Sequence, residues 1–161
     1  MLSFQGLYQS YAPDVYRFSF WLTGNGPDAE DITSETFVRA WVRRNTIRTE
    51  TLKAYLLTIA RNVFLEQRRK VNRQVALEDG HADPTPGPEA ATESHLELDE
   101  IRSILRTLPE RDRSAFVLRV QHELPYAEIA RVLGLSLSSA KVKVHRVRKK
   151  LLTARLRREV S

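Results

Sequence analysis

The sequence predicts an all-α protein made of two small helical domains joined by a flexible linker. Three observations carry that prediction. Apolar residues recur at helical spacing through both halves, with no alternating strand pattern. Asp79–Pro88 concentrates three prolines and two glycines and has hardly an apolar anchor. The segment from Tyr126 to Leu151 reads as a short helix, a turn containing Gly134, and a second helix carrying positive charge. That last pattern is a helix-turn-helix, the arrangement that places its second helix in a DNA major groove.

The first domain is expected over residues 1–73. Leu7, Tyr11, Val15, Phe18 and Leu22 have the spacing of one buried helix face, with Pro13 placed in its first turn. Gly24–Pro27 forms a turn, and Pro27 suits the start of a second helix running to about Arg43. Ala29, Ile32, Thr36, Phe37, Ala40 and Trp41 form its apolar stripe, with Asp28, Asp31 and Glu35 mostly off it. Trp41 is equally readable as core or surface, because a bulky aromatic has much apolar area to bury. Residues 46–50 break the pattern. A third helix follows over about Leu52–Lys70, burying Leu52, Tyr55, Leu56, Ile59, Val63 and Phe64. Its far end is basic.

Residues 74–95 are expected to be the linker, too poor in apolar groups to pack. The second domain, residues 96–161, is expected to hold four helices. Ile101, Ile104, Leu105 and Leu108 begin its core, and Phe116, Val117 and Val120 continue it. A helix over 125–133 buries Ile129, Ala130 and Leu133, and Leu135 covers the turn. In the last helix Ala140, Val144, Val147 and Leu151 form the packed stripe, with Ser138 or Ser139 as cap. Each domain is small enough that mutual support or a bound partner should matter to stability.

Charge separates the two ends of the second half. The chain has 161 residues, 26 Lys plus Arg, 20 Asp plus Glu, and a net charge of +6. Residues 131–161 hold ten basic side chains and one acidic, whereas 76–112 hold ten acidic and three basic. A polyanion partner for the C-terminal end follows. A basic amphipathic helix alone would also suit a membrane surface. The preceding Ile129–Ser136, with its small alanine, turn glycine and apolar turn residue, favours DNA. Ser138, Ser139 and Lys141 at the amino end suit base edges. Lys143, His145, Arg146, Arg148 and Lys149 suit mainly phosphates.

Several classes are excluded. Cysteine is absent, so there are no disulfides or thiolate metal sites. His81, His95, His122 and His145 show no recognised metal spacing. No nucleophile elbow or phosphate loop is present, so no enzyme, cofactor or metal is expected. No apolar run reaches the ~18–20 residues of a membrane span, and Met1–Leu7 does not read as a secretory leader. A cytoplasmic protein is expected, with no regulatory extension after the basic helix.

Three stretches together resemble the extracytoplasmic-function group of bacterial RNA polymerase sigma factors, in the sigma-70 family. They are Asp28–Trp41, Leu52–Lys70, and Leu108–Arg119 followed by the helix-turn-helix. The resemblance covers about residues 5–73 and 96–157. It implies a sigma-2-like domain that binds the polymerase clamp helices through Asp28, Asp31, Glu35 and Trp41. That domain would open the −10 element with Arg44, Asn45, Arg61, Asn62, Arg68, Arg69 and Lys70. The irregular segment 44–50 resembles the loop that captures a flipped −10 base, whose unstacking costs a few kcal/mol. A sigma-4-like domain would bind the −35 element and the polymerase flap. Core RNA polymerase, promoter DNA and an anti-sigma factor are the implied partners. Ser34, Tyr55 and Ser139-Ala140 stand where the family often has Gln, Trp and Thr-Val, which leaves the promoter preference open. The alternative is an autonomous helix-turn-helix regulator that binds duplex DNA without polymerase. The first domain opposes it, since it reads as neither a phospho-receiver nor a ligand-binding domain.

Overall fold

A computed structural model describes residues 3–46, 52–77 and 96–160. Every regular element among them is helical. The chain divides into two units, residues 1–88 and 89–161. The expected linker lies almost wholly outside the described residues. So do residues 47–50 of the irregular segment, and residue 51.

The first unit holds α1 (Phe4–Thr23), α2 (Gly26–Val42), a 3-10 turn (Arg44–Thr46) and α3 (Leu52–Leu77). Ser3 caps α1, its hydroxyl accepting from Gly6 N–H at 3.0 Å. Gly24 ends the helix in the left-handed region, at φ 76°, where glycine has no Cβ to clash. Asn25 then caps α2, accepting from Asp28 N–H at 2.8 Å. The three helices pack on one another through Leu7, Val15, Phe18, Ile32, Phe37, Leu56, Leu57 and Val63, all 2% exposed or less. Ser19, Thr33 and Thr36 are buried among them. Each hydroxyl donates to the carbonyl one turn back, at 2.7 Å. Small polar residues thus bring helix backbones close without an unsatisfied hydroxyl.

The first unit corrects several expectations. Pro13 lies in the interior of α1, not its first turn. The helix passes through it because Pro13 and Gln9 are both exposed, so water can serve the carbonyl that loses its N–H partner. The third helix continues to Leu77, past its expected end near Lys70. Gln74-Val-Ala-Leu77 contains no breaker, so propagation costs little. Tyr55 and Ile59 are only half-buried, while Ala54, Leu57 and Ala60 join the core.

The second unit holds α4 (Leu96–Arg106), α5 (Glu110–Val120), α6 (Tyr126–Leu133) and α7 (Leu137–Val160). Leu105, Leu118, Ile129, Leu133, Ala140, Val144 and Val147 form its centre, each 1% exposed or less. Gly134 closes α6 at φ 65°. Leu135 N–H reaches back to Ala130 C=O at 2.9 Å, so the turn satisfies the carbonyls the helix end leaves open. Val120 is 48% exposed rather than core, and Phe116, Ile101 and Ile104 are half-buried. Ala115, Val117 and Leu118 take the inner face of α5 instead. The cap of α7 is Ser136, whose hydroxyl accepts from Ser139 N–H at 3.1 Å. Ser138 and Ser139 lie inside the helix, which runs nine residues beyond Leu151 to Val160.

Candidate nucleic-acid interface

In the second unit, α7 presents two different faces because its apolar residues keep a strict helical spacing. Ala140, Val144 and Val147 are fully buried against α5 and α6. Ser138, Lys141, His145, Arg146, Arg148 and Lys149 are exposed, and Ser139 is half-buried. Val142, absent from the sequence expectation, is 51% exposed among them. On a period of about 3.6 residues it stands opposite the buried stripe, between Ser138 and His145. An apolar side chain in the middle of a polar outward face was the available signal.

Lys143 behaves differently from its neighbours. Its ammonium sits 2.9 Å from Asp112 Oδ1 of α5, and only 20% of the side chain is exposed. Asp112 is 4% exposed, and an Arg146 guanidinium nitrogen lies 3.9 Å from its other oxygen. A buried carboxylate left without such partners would cost several kcal/mol. On the other flank, Arg119 lies over the Tyr126 ring at 4.2 Å and donates to Leu124 C=O at 3.1 Å. The Lys141 ammonium is 5.9 Å from the same ring. These contacts tie α5, α6 and α7 together around their polar edge.

In the first unit, the acidic residues of α2 are not equivalent. Asp28 closes the helix cap, accepting from Asn25 Nδ2 at 2.7 Å. Asp31 is exposed. Glu35 accepts from Arg39 Nε at 2.9 Å, and Arg39 reaches Glu66 of α3 with two hydrogen bonds, 3.1 and 2.7 Å. The Arg39 hydrogen bonds hold the Glu66 carboxyl below the ordinary carboxylate range. The same two carboxylates raise Arg39 above its ordinary value. Trp41 is half-buried. Phe4 meets its ring edge-on at 5.6 Å, and Arg44 lies 4.3 Å over it while donating to Trp41 C=O at 2.9 Å. Trp41 and Arg44, assigned to different partners by the sequence reading, are therefore in mutual contact.

The basic end of α3 is open to solvent. Asn62, Arg68, Arg69 and Lys70 are exposed, and Arg68 lies over Phe64 at 5.9 Å. Asn45 is exposed in the 3-10 turn. Arg61 is different, being packed inside the unit at 8% exposure. A stripe count that places Ile59 inward and Arg61 outward misses this, because α3 packs against both α1 and α2 and so buries more than one stripe. Among the described residues, no group of three or more His, Cys, Asp or Glu could hold a metal ion. None of the described helices is long and apolar enough to cross a membrane.

Known proteins are similar to both units of the chain. The model for sigma-70 region 2 matches residues 7–74, and the model for sigma-70 region 4 matches residues 98–151. The ECF RNA polymerase sigma factor EcfG of Rhodopseudomonas palustris (strain TIE-1) is 33% identical over 140 residues, spanning 86% of this chain and 77% of that protein. The chain belongs to the ECF sigma factors of the sigma-70 family. ECF sigma factor SigM of Bacillus subtilis (strain 168) is 30% identical over 147 residues, with 90% of each chain covered. Among solved structures, the sigma factor RpoE from Bartonella quintana, in complex with the anti-sigma factor NepR, matches with a TM-score of 0.82. The identity is 28%, over 92% of this chain and 93% of that one. As a sigma factor, the protein directs transcription by core RNA polymerase and is not itself an enzyme.

Proposed function

We propose that this sigma factor recognises its promoters in two parts, one for each helical unit. The α6–turn–α7 segment acts as a helix-turn-helix on the −35 duplex. The observation that carries this is the polar, basic outward face of α7 set opposite its fully buried stripe. Ser138, Ser139 and Lys141 meet base edges, while His145, Arg146, Arg148 and Lys149 lie mainly along phosphates. Val142, at the centre of that face, suits a thymine methyl group. Residues 1–73 form the sigma-2-like domain, 74–95 the linker and 96–161 the sigma-4-like domain.

The α2 face with Asp28, Asp31, Glu35 and Trp41 meets the polymerase clamp. Asn45, Asn62, Arg68, Arg69 and Lys70, joined by Arg44, contact the −10 strand as it opens. Arg61, buried, serves that surface from within rather than as a direct contact. Linking two DNA-binding modules raises the effective concentration of the second once the first is engaged. An anti-sigma factor is a fitting regulator, given the NepR complex of the similar Bartonella protein. Cytoplasmic residence suits a polymerase subunit.

The test is open-complex formation on a promoter library with core polymerase alone, this protein alone, and both together. Sequence-dependent strand opening only with both is the expected result. Tight duplex binding by the protein alone, with no added opening when core is present, would sink the proposal in favour of an autonomous regulator.

A further inference from the structure

Asp112 sits in the first turn of α5, yet its carboxylate is almost completely withdrawn from water. A charge so placed needs charged or hydrogen-bonding partners. It takes them from α7. Lys143 lies at 2.9 Å and is itself mostly covered, whereas Arg146 lies at 3.9 Å and is 55% exposed. The lysine is the committed partner, and the arginine remains open to solvent.

The position of Lys143 on the helix explains why. It is about 200° around the axis from Lys141 on a 3.6-residue period. Lys141 leaves the helix toward Tyr126 of α6. Lys143 leaves on the opposite flank, toward α5. Lysine is a point charge on a flexible stem, so a fixed buried anion decides where that charge rests.

We infer that Asp112 is a positioning residue for promoter recognition: it holds Lys143 against α5, out of phosphate contact, and so sets which cations of α7 meet the −35 duplex. The inference rests on the reading that α7 contacts that duplex. A lysine already neutralised by a buried carboxylate displaces no DNA counterion. Lys143 therefore adds nothing to the salt dependence of binding, although formal charge alone would count it.

The experiment measures promoter affinity of the assembled holoenzyme against salt, with the full chain, as the slope of log K on log salt concentration. Lys149→Gln, which loses a solvent-facing cation, should flatten the slope by about 0.9. Lys143→Gln should leave it unchanged. Asp112→Asn should release Lys143 and steepen the slope by up to about 0.9, and adding Lys143→Gln should abolish that gain. A purely structural role for Asp112 would not produce a gain that depends on Lys143. Circular-dichroism melts establish which variants fold. If Asp112→Asn does not fold, the Lys143→Gln slope decides alone, and the double variant decides if neither single variant folds. Flattening by either of these as large as that of Lys149→Gln overturns the inference. So does a folded Asp112→Asn variant with the wild-type slope. An unchanged slope in Lys149→Gln would instead overturn the assignment of α7 to the −35 duplex, and the inference with it.

Discussion

At the scale of single residues, similar side chains do different work according to what surrounds them. Asp31 is open to solvent, Asp28 closes a helix cap, and Glu35 shares Arg39 with Glu66. The Arg39 side chain is 37% exposed and its partners 46% and 48%, so solvent screens the network. Arg39→Met should cost no more than about 1 kcal/mol in urea unfolding at neutral pH. The depressed Glu66 group gives that cost its pH dependence. Protonation is resisted in the folded state, so the stabilisation is complete above the ordinary glutamate value of 4.5 and is lost as pH falls through the lower folded value. The difference between wild type and Arg39→Met should therefore shrink in acid. A difference that persists or grows there would show that Arg39 acts through packing of its stem. Val142→Ala should weaken −35 binding by about 1 kcal/mol or less, the scale of one buried methyl pair. The loss should shrink on promoters carrying uracil in place of thymine.

Helix ends and interiors set the element scale. Ser136 fills the cap position of α7, one turn before Ala140 begins the buried stripe. Ser136→Ala should destabilise the second unit by about 1 kcal/mol, read as a lower melting temperature. Ser138→Ala should leave the melt nearly unchanged, because Ser138 is not the cap. Gly134 has open space where a Cβ would stand, but its φ is +65°. Gly134→Ala should cost about 1–2 kcal/mol from conformation alone. Pro13 works in the other direction. It interrupts the interior of α1 on an exposed side, so Pro13→Ala should stabilise the first unit by about 2–2.5 kcal/mol. That is the ~3 kcal/mol helix penalty less the entropy the unfolded chain regains.

Across the whole molecule, charge is divided by place rather than averaged. The net +6 conceals a basic C-terminal helix, a basic end to α3 and acidic groups on α2. Two separate cationic surfaces suit a protein that meets one polyanion at two places. Replacing Arg68, Arg69 and Lys70 together with Gln should flatten the salt dependence of open-complex formation by about 2–3 slope units. Binding of core polymerase, proposed to go through α2, should be little affected. Equal loss of polymerase binding and promoter opening would place the α3 basic end at the protein interface instead.

The sequence by itself determined the helical class, the two-part organisation and the family, because helical periodicity and a run of basic residues are local signals. Ala140, Val144 and Val147 were legible as a buried stripe for that reason. So were the exposed cations Lys141, Arg148 and Lys149. The packing of α5 against α7 decided what local spacing could not. It turned Lys143 from an outward cation into the partner of a buried carboxylate thirty-one positions away. The packing of α3 within the first unit likewise buried Arg61, and the meeting of Trp41 with Arg44 joined two residues the sequence had assigned apart. A helix period places side chains around one axis. Only a neighbouring helix determines which of those directions faces water, and which charge meets its opposite before it can meet DNA.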